Sequence, residues 1–189
     1  NLKAHRPDKW YLACLASVYA VTAMSISRPT AGWYWDLGSG IGFSTFATLL
    51  YLCLSDWRGC PIKHHKLFGN CVLTLALGHA LWFIIGDTLT LEYLKPGAPP
   101  YMWAGLACVL LILFLVVTSY PFLRNKLHVS YSGFRYWHRL MSLLTIAAAI
   151  YHISGSGLYI RGSLQIVLLC IIAVPAVWPG LLAGRIALR

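Results

Sequence analysis

Six runs of largely apolar residues, each long enough to cross a bilayer as a helix, occupy nearly the whole of this 189-residue chain. The runs are Trp10 to Ile26, Leu37 to Leu54, His65 to Ile85, Tyr101 to Tyr120, Trp137 to Ile153, and Leu164 to Ala183. In lipid such a run must form a helix, because a helix satisfies its own backbone hydrogen bonds. With 59% hydrophobic and 11% charged residues, the composition excludes a soluble globule. We predict an all-α membrane protein, a six-transmembrane-helix bundle that forms one domain over residues 1–189.

The first run is expected to remain in the mature protein, because no small-residue cleavage pattern follows it. Of the 15 Lys and Arg residues, 10 lie before the first run, between the second and third, between the fourth and fifth, or after the sixth, and Lys66 and Arg139 lie on the same side, at the starts of the third and fifth runs. The intervening segments hold only Arg28, Lys95 and Arg161. The positive-inside rule therefore predicts that both termini are cytoplasmic, and we expect the protein in the plasma (cell inner) membrane. The net charge is +10, but it follows no groove or helix that could track phosphates, which excludes a nucleic acid partner.

Four histidines repeat one spacing within the third and fifth runs. The sequence His-(Lys or Arg)-Leu begins at His65 and at His138, and a second histidine follows each after 14 positions, at His79 and His152. A helix turns about 100° and rises about 1.5 Å per residue, so a 14-residue step returns to the same face about 21 Å further along. The third and fifth runs cross the membrane in the same direction. We therefore expect one histidine pair near the cytoplasm and one near the outer surface. The other histidines break the repeat and are expected at the cytoplasmic surface: His5, His64 and His128.

Two facing imidazoles with no nearby Cys, Asp or Glu are too few for zinc, which prefers four protein ligands. A porphyrin supplies four nitrogens and leaves two opposite axial positions, which two histidines from neighbouring helices can fill. The sequence therefore predicts two stacked haem b groups, ligated by His65 with His138 and by His79 with His152. Filling both axial positions favours electron transfer over oxygen binding. Basic and hydroxyl side chains near each pair are candidates to hold the haem propionates: Lys66, Arg135 and Arg139 inside, and Arg161, Tyr159 and Tyr93 outside.

These motifs resemble the ferric reductase-like transmembrane domain family, which includes NADPH oxidases and ferric-chelate reductases. The resemblance lies in the segment from His65 to Gly69 with His79, and in the segment from Trp137 to Leu140 with His152. It implies that electrons pass from cytoplasmic NAD(P)H through FAD to the two haems and on to an external acceptor such as ferric iron or oxygen. The FAD and NAD(P)H sites are then expected on a fused domain after the sixth run, with this chain a trimmed piece, or on a separate cytoplasmic flavoprotein.

The chain departs from the family pattern at one position, and three alternative functions are also considered. Phe83 stands where the animal NADPH oxidases carry a further histidine, which argues against superoxide production. A haem-bearing subunit that delivers electrons to a periplasmic methionine sulfoxide reductase is an alternative, although that subunit tends to lack the inner histidine found here at His65. A histidine-lined metal or proton transporter is less favoured, because all five acidic residues lie at run ends or in loops. A membrane anchor for an enzyme complex is a further alternative, with the histidines serving only in helix packing.

Overall fold

The computed structural model describes residues 7–25, 32–57, 61–128 and 130–187, so the predictions for His5 and Arg28 lie outside the described residues. All regular structure in this part of the chain is helical. The α-helices are α1 (Pro7–Ala23), α2 (Trp33–Trp57), α3 (Ile62–Gly86), α4 (Pro100–Thr118), α5 (Pro121–Leu127), α6 (Tyr131–Ser156) and α7 (Ser163–Ala187). A 3₁₀ helix at Thr88–Leu94 joins α3 to α4. The prediction of an all-α protein is confirmed.

Local sequence explains where several helices begin and end. Pro100 and Pro121 occupy the first turns of α4 and α5, where a missing backbone N–H costs no hydrogen bond. Ser130 caps α6, since its Oγ accepts a hydrogen bond from the backbone N–H of Gly133 at 3.1 Å. Gly157 ends α6 in the left-handed conformation at a φ of 61°, which a glycine adopts without strain.

Each predicted apolar run falls on one long helix, but the helices differ in how well they suit a bilayer. In the described part of the chain, three segments are both long and apolar enough to cross a membrane: Trp33–Leu54, Ile62–Gly86 and Pro100–Thr118. The part of α7 whose side chains are described, Ser163–Ala176, is also apolar. Helix α1 has 17 residues, and α6 carries Arg135 and Arg139 in its first half. The structure thus confirms a membrane protein and supports three of the six predicted spans by length and apolar character.

The helices pack mainly as two pairs. Helix α6 packs most extensively on α4, and α3 packs most extensively on α2, while α1 and α7 pack on α2 and on each other. Fully buried side chains such as Val18, Leu50, Ile146 and Leu169 form the core between α1, α2, α6 and α7. In the described part of the chain, α3 and α6 are not among the pairs that pack closely along their lengths. The two helices with the predicted histidine ligands therefore belong to different pairs.

Large apolar side chains on α3 and α4 point away from the protein. The exposed ones include Leu77, Leu81 and Ile85 on α3, and Leu110 and Leu113 on α4. An exposed apolar surface of this size is unfavourable in water but is the ordinary outer surface of a helix in lipid. Together with the apolar length of these helices, it places the bundle in a bilayer.

Candidate functional site

Four histidine side chains form two pairs between α3 and α6. The ring centroids of His65 and His138 lie 6.2 Å apart. Those of His79 and His152 lie 6.3 Å apart. We call the first pair and its surroundings the His65 level, and the second pair and its surroundings the His79 level. The structure therefore brings together the same partners that the repeated spacing pairs in the sequence.

Each pair has the separation expected of two imidazoles that share one metal ion. A metal–imidazole bond is about 2.0–2.1 Å long and the ring centre lies about 1.1 Å behind the nitrogen, so two opposed ligands place their centroids about 6.3 Å apart. In the described ranges, no three His, Cys, Asp or Glu side chains gather into a possible metal site. Each level thus offers two imidazoles as possible ligands. This donor set suits a metal whose other positions are filled by a macrocycle, as in haem.

Backbone carbonyl groups of neighbouring helices hold both rings at the His79 level. The Nδ1 of His79 is 2.8 Å from the carbonyl oxygen of Gly38 on α2. The Nδ1 of His152 is 2.9 Å from the carbonyl oxygen of Tyr101 on α4. A carbonyl oxygen can only accept, so in each neutral ring Nδ1 donates its hydrogen and Nε2 keeps its lone pair. Metal-ligating histidines usually have such a partner on the other ring nitrogen, so both rings fit the role of an Nε2 ligand.

The His65 level opens onto a cavity of about 520 Å³, and both of its histidines line that cavity. Its walls include apolar side chains of α2 and α4, such as Leu49, Leu52, Ile112 and Leu115. Four basic side chains also line it: Lys66, Arg124, Arg135 and Arg139. The volume falls in the range of about 300–1,000 Å³ that is typical of cofactor sites. Apolar walls with basic groups suit a flat apolar ligand that carries carboxylates, which is the chemistry of a haem.

Arg124 is a cavity residue that sequence reasoning missed. Its guanidinium carbon lies 5.4 Å from the ring centroid of Tyr131 and 5.8 Å from that of Phe134, which are cation–π distances. The Phe134 ring in turn lies 5.2 Å from the ring of His138. The short helix α5 places Arg124 over the start of α6, and no spacing in the sequence indicates this fold-back. By contrast, the three basic residues predicted for this level, Lys66, Arg135 and Arg139, all line the cavity.

Two of the three residues predicted to hold the outer propionates, Arg161 and Tyr159, have protein partners in the structure. Arg161 follows α6, and its Nε donates a hydrogen bond to the carbonyl of Gly157 at 2.7 Å. The Tyr159 hydroxyl donates a hydrogen bond to the carboxylate of Asp36 at the start of α2. Burial and then this carboxylate raise the pKa of Tyr159 to about 12. Tyr93 is exposed on the 3₁₀ helix. A role for any of them toward a cofactor stays a prediction.

The remaining described histidines and Phe83 lie around the two pairs. His64 is exposed on α3. His128 follows α5, with its ring 5.5 Å from that of Phe134. Phe83 lies one turn after His79, with its ring 5.3 Å from the imidazole. The position one turn beyond His79 is thus occupied by an aromatic side chain that can neither ligate a metal nor carry a proton.

These features define a class of protein: a helical membrane domain that holds two histidine pairs at two heights between the same two helices. The chain belongs to the family described as ferric reductase like transmembrane component, whose profile matches residues 43–149, more than half of the sequence. The matched region contains His65, His79 and His138, whereas His152 lies three residues beyond its end. No curated protein and no solved structure gave a significant match. Membership of this family identifies the chain as the membrane component of an oxidoreductase and indicates transmembrane electron transfer.

Proposed function

We propose that this domain transfers electrons across a membrane through two haem b groups, one held by His65 and His138 and the other by His79 and His152. The observation that carries the proposal is the recurrence of one centroid separation, 6.2 and 6.3 Å, in two histidine pairs on the same two helices. When bound, haem iron supplies reversible one-electron transfer. A structural role in helix packing would not require either the repeated separation or the carbonyl partners of the outer rings.

In the proposed function, the protein holds the haem groups and orients the histidine rings that bind them. One histidine pair would hold each haem, and two histidine ligands on the iron would favour electron transfer over oxygen binding at the metal. The apolar side chains of α2 and α4 in the cavity wall would pack against the macrocycle at the His65 level. The carbonyls of Gly38 and Tyr101 fix the tautomer and the orientation of the rings at the His79 level.

The proposed direction of electron transfer follows from the distribution of basic residues. We propose that all six long helices span the membrane with both termini in the cytoplasm, because the basic residues concentrate at the His65 end of the bundle. The electron donor is then FAD reduced by NAD(P)H, carried by a fused domain or by a cytoplasmic flavoprotein. The acceptor, ferric iron or oxygen, lies outside. A negative cell interior assists outward electron movement by about 2.3 kcal/mol per 100 mV.

The proposal is tested with the purified protein by a reduced-minus-oxidised absorption spectrum and by haem content per chain. We expect a bis-imidazole haem b spectrum and two haems per chain. His65→Ala should remove one haem, whereas His64→Ala, the same change at the adjacent exposed position, should keep both. A colourless protein, or equal haem content in the two variants, would refute the proposal.

A further inference from the structure

We propose that two short backbone segments, residues 38–42 of α2 and residues 101–105 of α4, are positioning elements for the His79 level. Each segment would orient one histidine ring through a carbonyl group and a glycine four residues later. This inference rests on the proposed function, because the rings it concerns are the haem ligands of that proposal. It assigns to α2 and α4 a role that their sequence does not indicate.

In α2 the two contacts come from Gly38 and Gly42. The carbonyl of Gly38 accepts the hydrogen bond from His79 Nδ1 at 2.8 Å. A Cβ atom added to Gly42 would lie only 2.8 Å from Cε1 and 2.9 Å from Nδ1 of the same ring. Non-bonded carbon atoms pack at about 3.5–4.0 Å, so the ring occupies space that any other residue would fill.

In α4 the same arrangement recurs around His152. The carbonyl of Tyr101 accepts the hydrogen bond from its Nδ1 at 2.9 Å. A Cβ atom added to Gly105 would lie 2.6 Å from Nδ1 and 2.7 Å from Cε1 of this ring. Helix α2 is the main partner of α3, and α4 is the main partner of α6, so each histidine is held by the helix that packs most closely on its own.

Helix geometry explains why the glycine comes four residues after the carbonyl. Side chains tilt toward the helix N-terminus, so the side chain at position i+4 lies beside the carbonyl of residue i. Thr45 in α2 shows this, because its Oγ1 donates to the carbonyl of Ile41 at 2.8 Å. A glycine at i+4 leaves that side of the carbonyl open. The second lone pair of the oxygen can then accept a donor from another helix, in addition to the helix's own N–H.

Two consequences follow for a metal bound to these rings. The hydrogen bond from Nδ1 selects the tautomer with Nε2 free and raises the basicity of Nε2. A more basic axial ligand stabilises the oxidised metal, so the segments are expected to lower the reduction potential of the His79-level haem. They also set the rotation of each ring about the metal–nitrogen bond.

The test substitutes alanine for single glycines in the haem-loaded protein. Gly42→Ala and Gly105→Ala should displace one ring each. Gly78→Ala is the matched control, because Gly78 neighbours His79 on α3 and a Cβ there would meet no atom within 4 Å. The readouts are haem content, the low-spin electron paramagnetic resonance signals and a potentiometric titration. We expect the first two variants to lose or shift one of the two haem signals, while the other signal and both signals of Gly78→Ala stay as in the wild type.

A second measurement tests the contact between the ring N–H and the Gly38 carbonyl directly. In His79→Gly, added imidazole can fill the vacated position and still donate an N–H, whereas 1-methylimidazole cannot donate one. Restoring the second haem should require about tenfold more 1-methylimidazole than imidazole, as expected for one lost hydrogen bond. Equal restoration by the two compounds, or a Gly42→Ala protein identical to Gly78→Ala, would overturn the inference and leave the two-haem proposal standing. A wild-type protein without two bis-imidazole signals would instead overturn the proposed function.

Discussion

The His65 and His79 levels have the same separation between their histidines but different surroundings. At the His79 level, backbone carbonyls of α2 and α4 bind the rings, and glycines lie against them. At the His65 level, the rings line a cavity of about 520 Å³ with four basic side chains in its wall. The same separation between two histidine rings can thus be built by backbone contacts or around a cavity. We expect the first level to respond mainly to changes of volume and the second mainly to changes of charge.

The largest effect is expected from removing one ligand of the His79 level. His79→Ala should leave one haem per chain, because a single imidazole in an apolar site does not retain the group against loss to solvent or lipid. The remaining haem at the His65 level should still be reduced by a soluble low-potential donor, while reduction of ferric chelates or oxygen outside should stop. Haem content and stopped-flow reduction of the protein in liposomes measure both effects.

His128→Ala serves as the control for this variant, since it removes a histidine that follows α5. It should retain two haems and full external reduction. If His79→Ala kept both haems, or if it reduced external acceptors at the wild-type rate, the assignment of His79 as a ligand would be wrong.

A smaller effect is expected from adding side-chain volume, and it should differ between the two levels. A Cβ at Gly155 would lie 2.4 Å from the Cβ of Tyr101, close to the backbone, where a side-chain rotation cannot relieve the contact. Gly155→Ala should therefore destabilise the haem-free protein by about 1–3 kcal/mol. At Gly69, in the wall of the His65-level cavity, a Cβ meets no atom within 4 Å. Gly69→Ala should be neutral, or stabilising by up to about 1 kcal/mol through its higher helix propensity.

Unfolding in detergent by heat or denaturant measures this difference. The comparison between the levels would fail if the two variants changed the free energy of unfolding equally, or if Gly69→Ala were the more damaging change.

The same contrast shows what the sequence can and cannot predict. The histidine pairs follow from helix periodicity, because 14 residues return to one face, and α3 and α6 do bring the predicted partners together. The carbonyl partners could not be predicted: Gly38 and His79 are 41 positions apart, and a glycine in an apolar run does not indicate which ring will lie against it. Arg124 was missed for a related reason, since its position depends on how α5 folds back on α6.

Charge should matter more at the His65 level. Arg139→Gln removes one positive charge from the cavity wall, which should stabilise the oxidised form of the proposed haem and lower its reduction potential. At an effective dielectric constant of about 20 and a distance of about 10 Å, one charge contributes about 1–2 kcal/mol. This corresponds to about 40–90 mV for a one-electron couple.

Arg161→Gln is the matched control, because Arg161 follows α6 and donates to Gly157. It should leave the His65-level potential unchanged in a potentiometric titration. An equal shift in both variants would mean that the potential reports the net charge of the protein and not the cavity wall.

The smallest effect concerns the loop between α6 and α7. Tyr159→Phe removes the hydrogen bond to Asp36 and should lower the free energy of unfolding by about 1 kcal/mol at neutral pH. The pKa of Tyr159 is raised to about 12, first by burial and then by Asp36. Its unfolded pKa is about 10, so this stabilisation should be complete below about pH 10 and should disappear as the pH rises toward 12.

Denaturant unfolding at pH 8 and near pH 12 should therefore show a difference between Tyr159→Phe and the wild type only at pH 8. Tyr93→Phe, the same change at an exposed tyrosine, should show no difference at either pH. A difference for Tyr159→Phe that persisted undiminished near pH 12 would show that the phenol stabilises the loop by packing and not through its proton.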